Sequence, residues 1–349
     1  MPLPSTQVRQ QETRSHLTQA RPFGLRLFEG LQASRFWGVE CHTRTIPRVI
    51  WWTTVLAALA LAAPAGTRSG ATRAAVVVLR GGHLYAVPLD GSSRPVRLTK
   101  ERIYADDASV SVDGRFVAFS RRAGGIRTMR IDGSERRQVT SGSDGQSGWS
   151  RDGSTIYFSR FTRTRYGDCG SIFAVATVGG APRLITDALP TGHSHENAAP
   201  SPDGTRVAFS DWNACEGGTS NPRLRVVDTA GKPTDDLGQL PHNGYYPDPE
   251  HSCPVWSPDG TRVAFLHNSD LDIANRDGRG ERRLLRGGGL LIYERPAWSA
   301  DGQWIAFTRE TDNQAKFLLI IHPDGTGVRL VMKTRGSDLN AFTLAGWLP

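Results

Sequence analysis

From residue 75 onward the chain is written in short runs whose apolar residues fall at every second position, the period of a half-buried strand. The clearest pairs are Val117 and Phe119, Ile156 and Phe158, Val207 and Phe209, Val263 and Phe265, and Ile305 and Phe307. Each follows the same phrase, Ser-x-Asp-Gly, whose aspartates are Asp113, Asp152, Asp203, Asp259 and Asp301, spaced by 39, 51, 56 and 42 residues. Asp-Gly predicts a tight turn, because Gly takes positive φ at little cost and Asp tolerates it. A second set of turn signals follows each first one, at Asp90-Gly91, Asp132-Gly133, Gly179-Gly180, Ala230-Gly231, Asp277-Gly278 and Asp324-Gly325. Two hairpins at this period make one four-stranded unit, and repeats of this length signal a propeller or a related array. Residues 109–140, 149–186, 200–240, 255–285 and 297–332 supply five such blades.

The ends complete the count. Ala75–Leu79, His83–Leu89 and Pro95–Thr99 are three strands without a first partner, and the chain closes on Gly346-Trp347-Leu348-Pro349. Three residues before the repeat aspartate stand Trp149, Trp256 and Trp298, read as core, and Trp347 holds the matching place at the C-terminus. The expectation is an all-β, six-bladed β-propeller of four-stranded blades over residues 75–349. The C-terminal strand joins the three N-terminal ones, so that closure leaves only short protected edges.

The phrase Ser-Pro-Asp-Gly-x-x-Val-Ala-Phe with a Trp before it resembles the WD40-like repeat of TolB-type β-propellers. The resemblance covers residues 75–349 and implies fold more than function, since such propellers serve binding proteins and enzymes alike. TolB proper carries an amino-terminal α/β domain. Only residues 1–74 precede the propeller here, so the chain resembles the propeller family rather than TolB itself. Prolyl oligopeptidases pair a similar propeller with a hydrolase domain, but no Gly-x-Ser-x-Gly elbow occurs in this sequence. Oligogalacturonate lyases also have related repeats, and they use His and a metal at the channel mouth.

Residues 49–63 form one apolar run, preceded by Arg44 and Arg48 and followed by Ala63-Pro64-Ala65. The run is short for a membrane span and suits a secretory h-region with an A-x-A cleavage site. Residues 49–65 are therefore a signal segment or, alternatively, an uncleaved membrane tether through 49–63. Residues 66–74 read as a linker, and 1–48 as a polar extension that is disordered or not translated. Either way the propeller is expected outside the cytoplasm: periplasmic, in the cell envelope or extracellular.

The net charge is +8, half of it from residues 1–65, which hold seven Arg against three acids. The propeller then keeps a mild excess with no basic block and no zinc-finger spacing, so nucleic acid is not an expected partner. Cys169, Cys215 and Cys253 follow the apolar run. Export favours one disulfide with one thiol left over. Cys215–Cys253 is preferred, because those loops should border one blade, with Cys169–Cys215 as the alternative.

The uneven spacings place inserts at Arg160–Gly170, Asp187–Ala199, Asp211–Pro222 and Leu240–Pro254, all on the face opposite the Ser-x-Asp-Gly turns. Long loops on a rigid scaffold are where function concentrates. Eight residues before the repeat aspartate stand His195 and His251, with Tyr293 in the next blade. Seven before it stand Asp106, Glu196 and Glu294. Propeller symmetry brings these toward the channel mouth, where imidazole and carboxylate suit a ligand, an acid–base pair or a divalent cation on His195 and His251. Tyr245 and Tyr246 are candidate aromatic contacts. The sequence thus reads as a monomeric, non-catalytic binding or scaffold module for a protein, an envelope component or a small ligand, with no cofactor beyond a possible cation. The alternative is a metal-assisted polysaccharide lyase or another carbohydrate-active propeller.

Overall fold

A computed structural model describes residues 75–348 apart from 91–93, 104, 106, 122–123, 214, 217–222, 235–251, 268, 288–293, 312–314 and 335–341. Asp106, Tyr245, Tyr246, His251, Tyr293 and the segments 1–48, 49–65 and 66–74 therefore lie outside the described residues.

The alternating runs form strands in six antiparallel sheets. The first sheet contains β1 (Ala75–Arg80), β2 (His83–Pro88) and β3 (Val96–Arg97). The second has β4 (Asp107–Val110), β5 (Phe116–Ser120), β6 (Ile126–Arg130) and β7 (Arg137–Gln138). The third has β8 (Asp144–Trp149), β9 (Thr155–Arg163), β10 (Asp168–Ala176) and β11 (Arg183–Thr186). The fourth shows β12 (Ser194–Pro200), β13 (Arg206–Trp212) and β14 (Arg223–Asp228) among the described residues, with an isolated bridge from Val227 to Pro233. The fifth has β15 (Ser252–Trp256), β16 (Arg262–His267), β17 (Asp270–Asn275) and β18 (Arg282–Leu285). The sixth has β19 (Ala297–Trp298), β20 (Ile305–Glu310), β21 (Lys316–Ile321) and β22 (Arg329–Lys333). The last strand, β23 (Phe342–Trp347), joins the first sheet in the order β23-β1-β2-β3.

The inner strands touch in the cycle β23, β4, β8, β12, β15, β19 and back to β23, which closes a six-bladed ring. This is the predicted propeller with its shared first and last blade. Leu348 also donates its amide to the Ala75 carbonyl at 3.1 Å.

The core lies between blades rather than within them. Ala118, Ile126 and Val139 of the second blade pack with Trp149, Ile156 and Phe158 of the third. The same stacking recurs from the third to the fourth blade, the fourth to the fifth and the fifth to the sixth. Phe158, Phe265 and Phe307, the last residue of their repeat phrases, are fully buried. Where inner strands approach most closely, only Gly fits: a Cβ at Gly148 would stand 2.5 Å from the Ala198 carbonyl oxygen.

The repeat phrase is a self-contained turn. In the first copy Ser111 Oγ donates to Asp113 Oδ1 at 2.5 Å, Asp113 accepts the Arg115 amide at 3.1 Å, and Ser111 Oγ accepts the Phe116 amide at 2.9 Å. The other four copies repeat this pattern, and the five glycines share φ near +70°. The Ser150 hydroxyl, aided by the amide and hydroxyl of Ser154, holds the Asp152 carboxyl at about 2. Ser and Asp are thus both needed to close a six-residue turn, which explains the motif without any external ligand.

The recurring tryptophans, read as core, also stitch neighbouring blades. Trp149, Trp256 and Trp347 donate their indole N–H to the carbonyls of Ser109, Ala199 and Ala297, each four residues before a repeat aspartate. A net gain of about 1 kcal/mol per bond adds to the burial. Trp298 differs: Arg262 lies 5.2 Å over its ring.

Blade boundaries differ from the sequence reading. Inner strands begin at Asp107, Asp144, Ser194 and Ser252, ahead of the expected starts, because a bulge interrupts three of them. Part of the expected insert 187–199 is therefore β12, and part of 160–170 is the extended β9–β10 hairpin.

The preferred disulfide is also corrected. Cys169 bonds Cys215, with Cα atoms 5.1 Å apart, so Cys215–Cys253 does not form. The long β9–β10 hairpin carries Cys169 over to the loop after β13, whereas Cys253 is buried against the fifth and sixth blades. Among the described residues no cysteine is a free thiol, so none is left over.

Candidate functional site

The first residues of the inner strands, at the ends away from the Ser-x-Asp-Gly turns, surround the central channel. Counting back six from the repeat aspartates gives Asp107, Gln146, Asn197, Cys253 and Arg295. Gln146, Asn197 and Cys253 have φ of 55°, 61° and 55°, at the register shifts of β8, β12 and β15. Non-glycine residues rarely adopt this conformation, and its threefold recurrence at one register marks a built bulge. The bulge frees backbone amides that the preceding blade satisfies. Asp107 Oδ2 accepts the amides of Gln146 and Ser147, and Gln146 Oε1 accepts the Asn197 amide at 2.9 Å.

Glu196 and Glu294, predicted one position earlier, are close by but engaged. Glu196 is 3 % exposed and accepts from Ser194 Oγ at 2.7 Å, Trp212 Nε1 at 3.1 Å and Gln146 Nε2 at 2.9 Å. Glu294 pairs with the buried Lys316 ammonium and accepts Thr308 Oγ1 at 3.1 Å and the Leu344 amide at 2.8 Å. It therefore ties the sixth blade to the closing strand β23.

His195 lies in β12 rather than in a loop. Its Nδ1 is 2.9 Å from Thr186 Oγ1, its Nε2 is 4.0 Å from Asp211 Oδ1, and its ring packs against Phe209. Burial, opposed by the Asp211 carboxylate, lowers its pKa to about 4. Asp211 also takes His193 Nδ1 at 2.7 Å and Arg225 Nε at 2.7 Å. Sequence reasoning missed Asp211, although its cross-strand pairing with His195 follows once the hairpin register is known.

Two polar atoms in the channel have no partner among the described residues. Arg295 reaches across to donate Nη1 to the Ser147 carbonyl at 3.1 Å, while its buried Nη2 meets no acceptor among them. Asn197 is 2 % exposed, and its Oδ1 meets no donor among them. Both line one cavity of about 60 Å³, together with Asp107, Gln146 and Glu294. Burial pulls the Arg295 guanidinium below its ordinary value, and Asp107 acts against that. The cavity is far smaller than a drug-sized pocket. It suits waters or the end of a narrow group entering the channel.

No protein-family model matches the chain, and no curated protein matches it. Solved structures do. TolB from Acinetobacter baumannii is 21 % identical over 79 % of this chain and 66 % of that one, with a TM-score of 0.59. A protein assigned as TolB from Agrobacterium tumefaciens is 18 % identical over 76 % of this chain and 90 % of that one, with a TM-score of 0.56. The fold is that of the TolB propellers. A chain of the nidogen/laminin complex is also similar, at 14 % identity over 79 % of this chain and 97 % of that one, with a TM-score of 0.55. At these identities the likeness is one of architecture.

The TolB-like propeller holds one further group with metal-ligand chemistry among its described residues. His267 Nδ1 is 3.1 Å from Asp272 Oδ2 and 3.5 Å from Glu281 Oε1. The hydrogen bonds to Asp272 and then Glu281 raise the His267 pKa to about 9. At neutral pH a proton thus fills the place between the carboxylates. Among the described residues, no helix is long and apolar enough to cross a membrane.

The two histidines set opposite limbs of a stability profile. His195 stays neutral in the fold, so as pH falls from about 6.5 toward 4 the unfolded chain takes up a proton that the folded one refuses. His267 stabilises fully below about 6.5, and that gain disappears as pH rises through about 9. At about 1.4 kcal/mol per unit the shifts set an upper bound of about 3.5 kcal/mol on each limb, and solvent screening around the partly exposed rings brings it to about 2–3 kcal/mol. Melting temperature against pH should peak near neutrality, with the alkaline fall flattened in His267→Gln. An unchanged alkaline limb in that variant would contradict the assignment.

Proposed function

We propose that this TolB-like propeller is an exported, non-catalytic binding module that takes a protein segment or envelope component at the channel mouth on its insert-bearing face. The observation that carries this reading is the contrast within the channel. Glu196, Glu294 and His195 are engaged inside the fold, while Arg295 Nη2 and Asn197 Oδ1 stay open to one narrow cavity. A guanidinium N–H beside an amide oxygen suits a group that both accepts and donates, such as a peptide or primary amide entering from the mouth. The Cys169–Cys215 bond supports export, since disulfides persist in oxidising compartments. The apolar run at 49–63 before Ala63-Pro64-Ala65 supports it from the sequence side.

The lyase alternative needs His195 and His251 to share a cation. His195 presents Nε2 to Asp211 in the fold, which favours a structural role for that ring. A pull-down from envelope extract tests the binding reading: wild-type protein should recover a partner that Arg295→Gln loses. Equal recovery by both would move the site off the channel. Unsaturated product from polygalacturonate would replace the reading with the lyase.

A further inference from the structure

The Asp-Gly pairs that close the hairpins carry a chemistry of their own. A glycine has no Cβ to hinder its backbone nitrogen from attacking the Cγ of the aspartate before it. The N–Cγ bond forms and a Cγ–O bond breaks, and the oxygen leaves as water with the carboxyl proton and the amide proton. Water then opens the cyclic imide. Opening at the former main-chain carbonyl leaves a β-linked isoaspartate. The carboxyl must be protonated for its oxygen to leave, and it must turn toward the glycine nitrogen. Hydrogen bonds that keep the carboxylate ionised and fixed therefore oppose the reaction.

Nine Asp-Gly pairs lie wholly within the described residues. In β8, Asp144 is held by Arg160 Nε at 2.7 Å and Thr140 Oγ1 at 2.6 Å. In the turns the holding groups are hydroxyls. Asp152, Asp203 and Asp259 each accept two, one from the repeat serine and one from Ser154, Thr205 or Thr261. Asp113 and Asp301 accept one from the repeat serine. Asp132 and Asp324 accept one from Ser134 and Thr326, each at 2.6 Å.

Asp277 departs from this pattern. Its Oδ1 accepts the Arg279 amide at 3.0 Å, and among the described residues no side chain donates to it. The position filled by Ser134 and Thr326 in the equivalent turns is Arg279 here, so the hydroxyl is missing. Asp277 is also exposed, and Gly278 and Gly280, with φ of 76° and 65°, put two glycines into one short turn.

We propose that Asp277-Gly278 is a site of spontaneous modification, converting to isoaspartate while the hydroxyl-held Asp-Gly pairs stay intact. The β linkage lengthens the main chain by one carbon between β17 and β18. The turn bonds from Gly278 N to the Asn275 carbonyl, 2.8 Å, and from Asn275 N to the Arg279 carbonyl, 2.9 Å, then lose their register. Arg282, at the start of β18, donates to the Asp324 carbonyl of the sixth blade at 3.0 Å, so the change also loosens a seam between blades.

Ageing the full chain at physiological temperature and pH, then mapping Glu-C peptides by electron-transfer fragmentation, tests this. The peptide ending at Glu281 contains both Asp259 and Asp277, so each sample supplies its own control. Isoaspartate should be at least about tenfold more abundant at Asp277 than at Asp259, the effect of one charge-assisted hydrogen bond. Arg279→Thr supplies the hydroxyl that Thr261 gives Asp259, and should cut conversion at Asp277 by about tenfold. In denaturant the two sites should convert at similar rates, because the protection belongs to the fold. Absence of isoaspartate at Asp277, equal conversion at Asp259 in the folded protein, an Asp277 excess that persists in denaturant, or unchanged conversion in Arg279→Thr overturns the proposal.

Discussion

Glu294→Gln should lower the melting temperature of the propeller by roughly 10 °C, more than other single changes at the channel. The carboxylate is 2 % exposed and faces the Lys316 ammonium, itself 5 % exposed. Removing one member of a buried ion pair leaves the other charge uncompensated, at about 3–5 kcal/mol. For a domain of this size each kcal/mol shifts the midpoint by about 2–4 °C. The substitution also weakens the acceptor for the Leu344 amide, so the loss falls on the closing strand. Glu294→Gln/Lys316→Met should recover much of the stability, because a well-packed apolar replacement of a buried pair is often neutral. Scanning calorimetry of the three proteins decides the matter. A single variant within about 1 kcal/mol of wild type would remove the latch assignment.

The second large effect is at the disulfide. Cys169 and Cys215 are 46 residues apart, and closing a loop of that length in the unfolded chain stabilises the fold by about 4 kcal/mol in the chain-entropy picture. Cys169→Ser/Cys215→Ser should therefore unfold at markedly lower denaturant concentration. The bond joins the β9–β10 hairpin to the loop after β13, so the loss should appear first as faster proteolysis near Arg165 and Glu216. Denaturation and proteolysis curves superimposing on wild type would show that the hairpin and loop are held by packing alone.

The architecture was legible in the sequence because its signals recur. Five copies of one turn, each closed by Ser and Asp on themselves, set the blade count, and Trp347 at the repeat position disclosed the shared blade. Counting from the aspartates placed Glu196 and Glu294 near the start of their inner strands, and both are buried there in hydrogen bonds to neighbouring strands. The side chains left open are Asn197 and Arg295, one position further on. What separates them is the bulge at Gln146, Asn197 and Cys253. Gly145 and Gly148 flank the bulge in β8 and Pro254 follows Cys253 in β15, but no Gly or Pro marks Asn197, so alternation alone points one position earlier there. The disulfide was misplaced for a related reason: the β9–β10 hairpin extends as regular strand through what reads as a polar loop.

Closure by β23 also orders events in time. The edge of β1 has its other partner, β2, as soon as residue 88 is made, yet it waits for residues 342–347 before its open side is covered. During synthesis and any passage across a membrane, the first blade is an unprotected template for strand addition by other chains. The Glu294 carboxylate likewise finds the Leu344 amide only at the end. Ring completion is then a late, long-range event in folding, and a chain cut short before Phe342 keeps nearly all of its residues while lacking its lock.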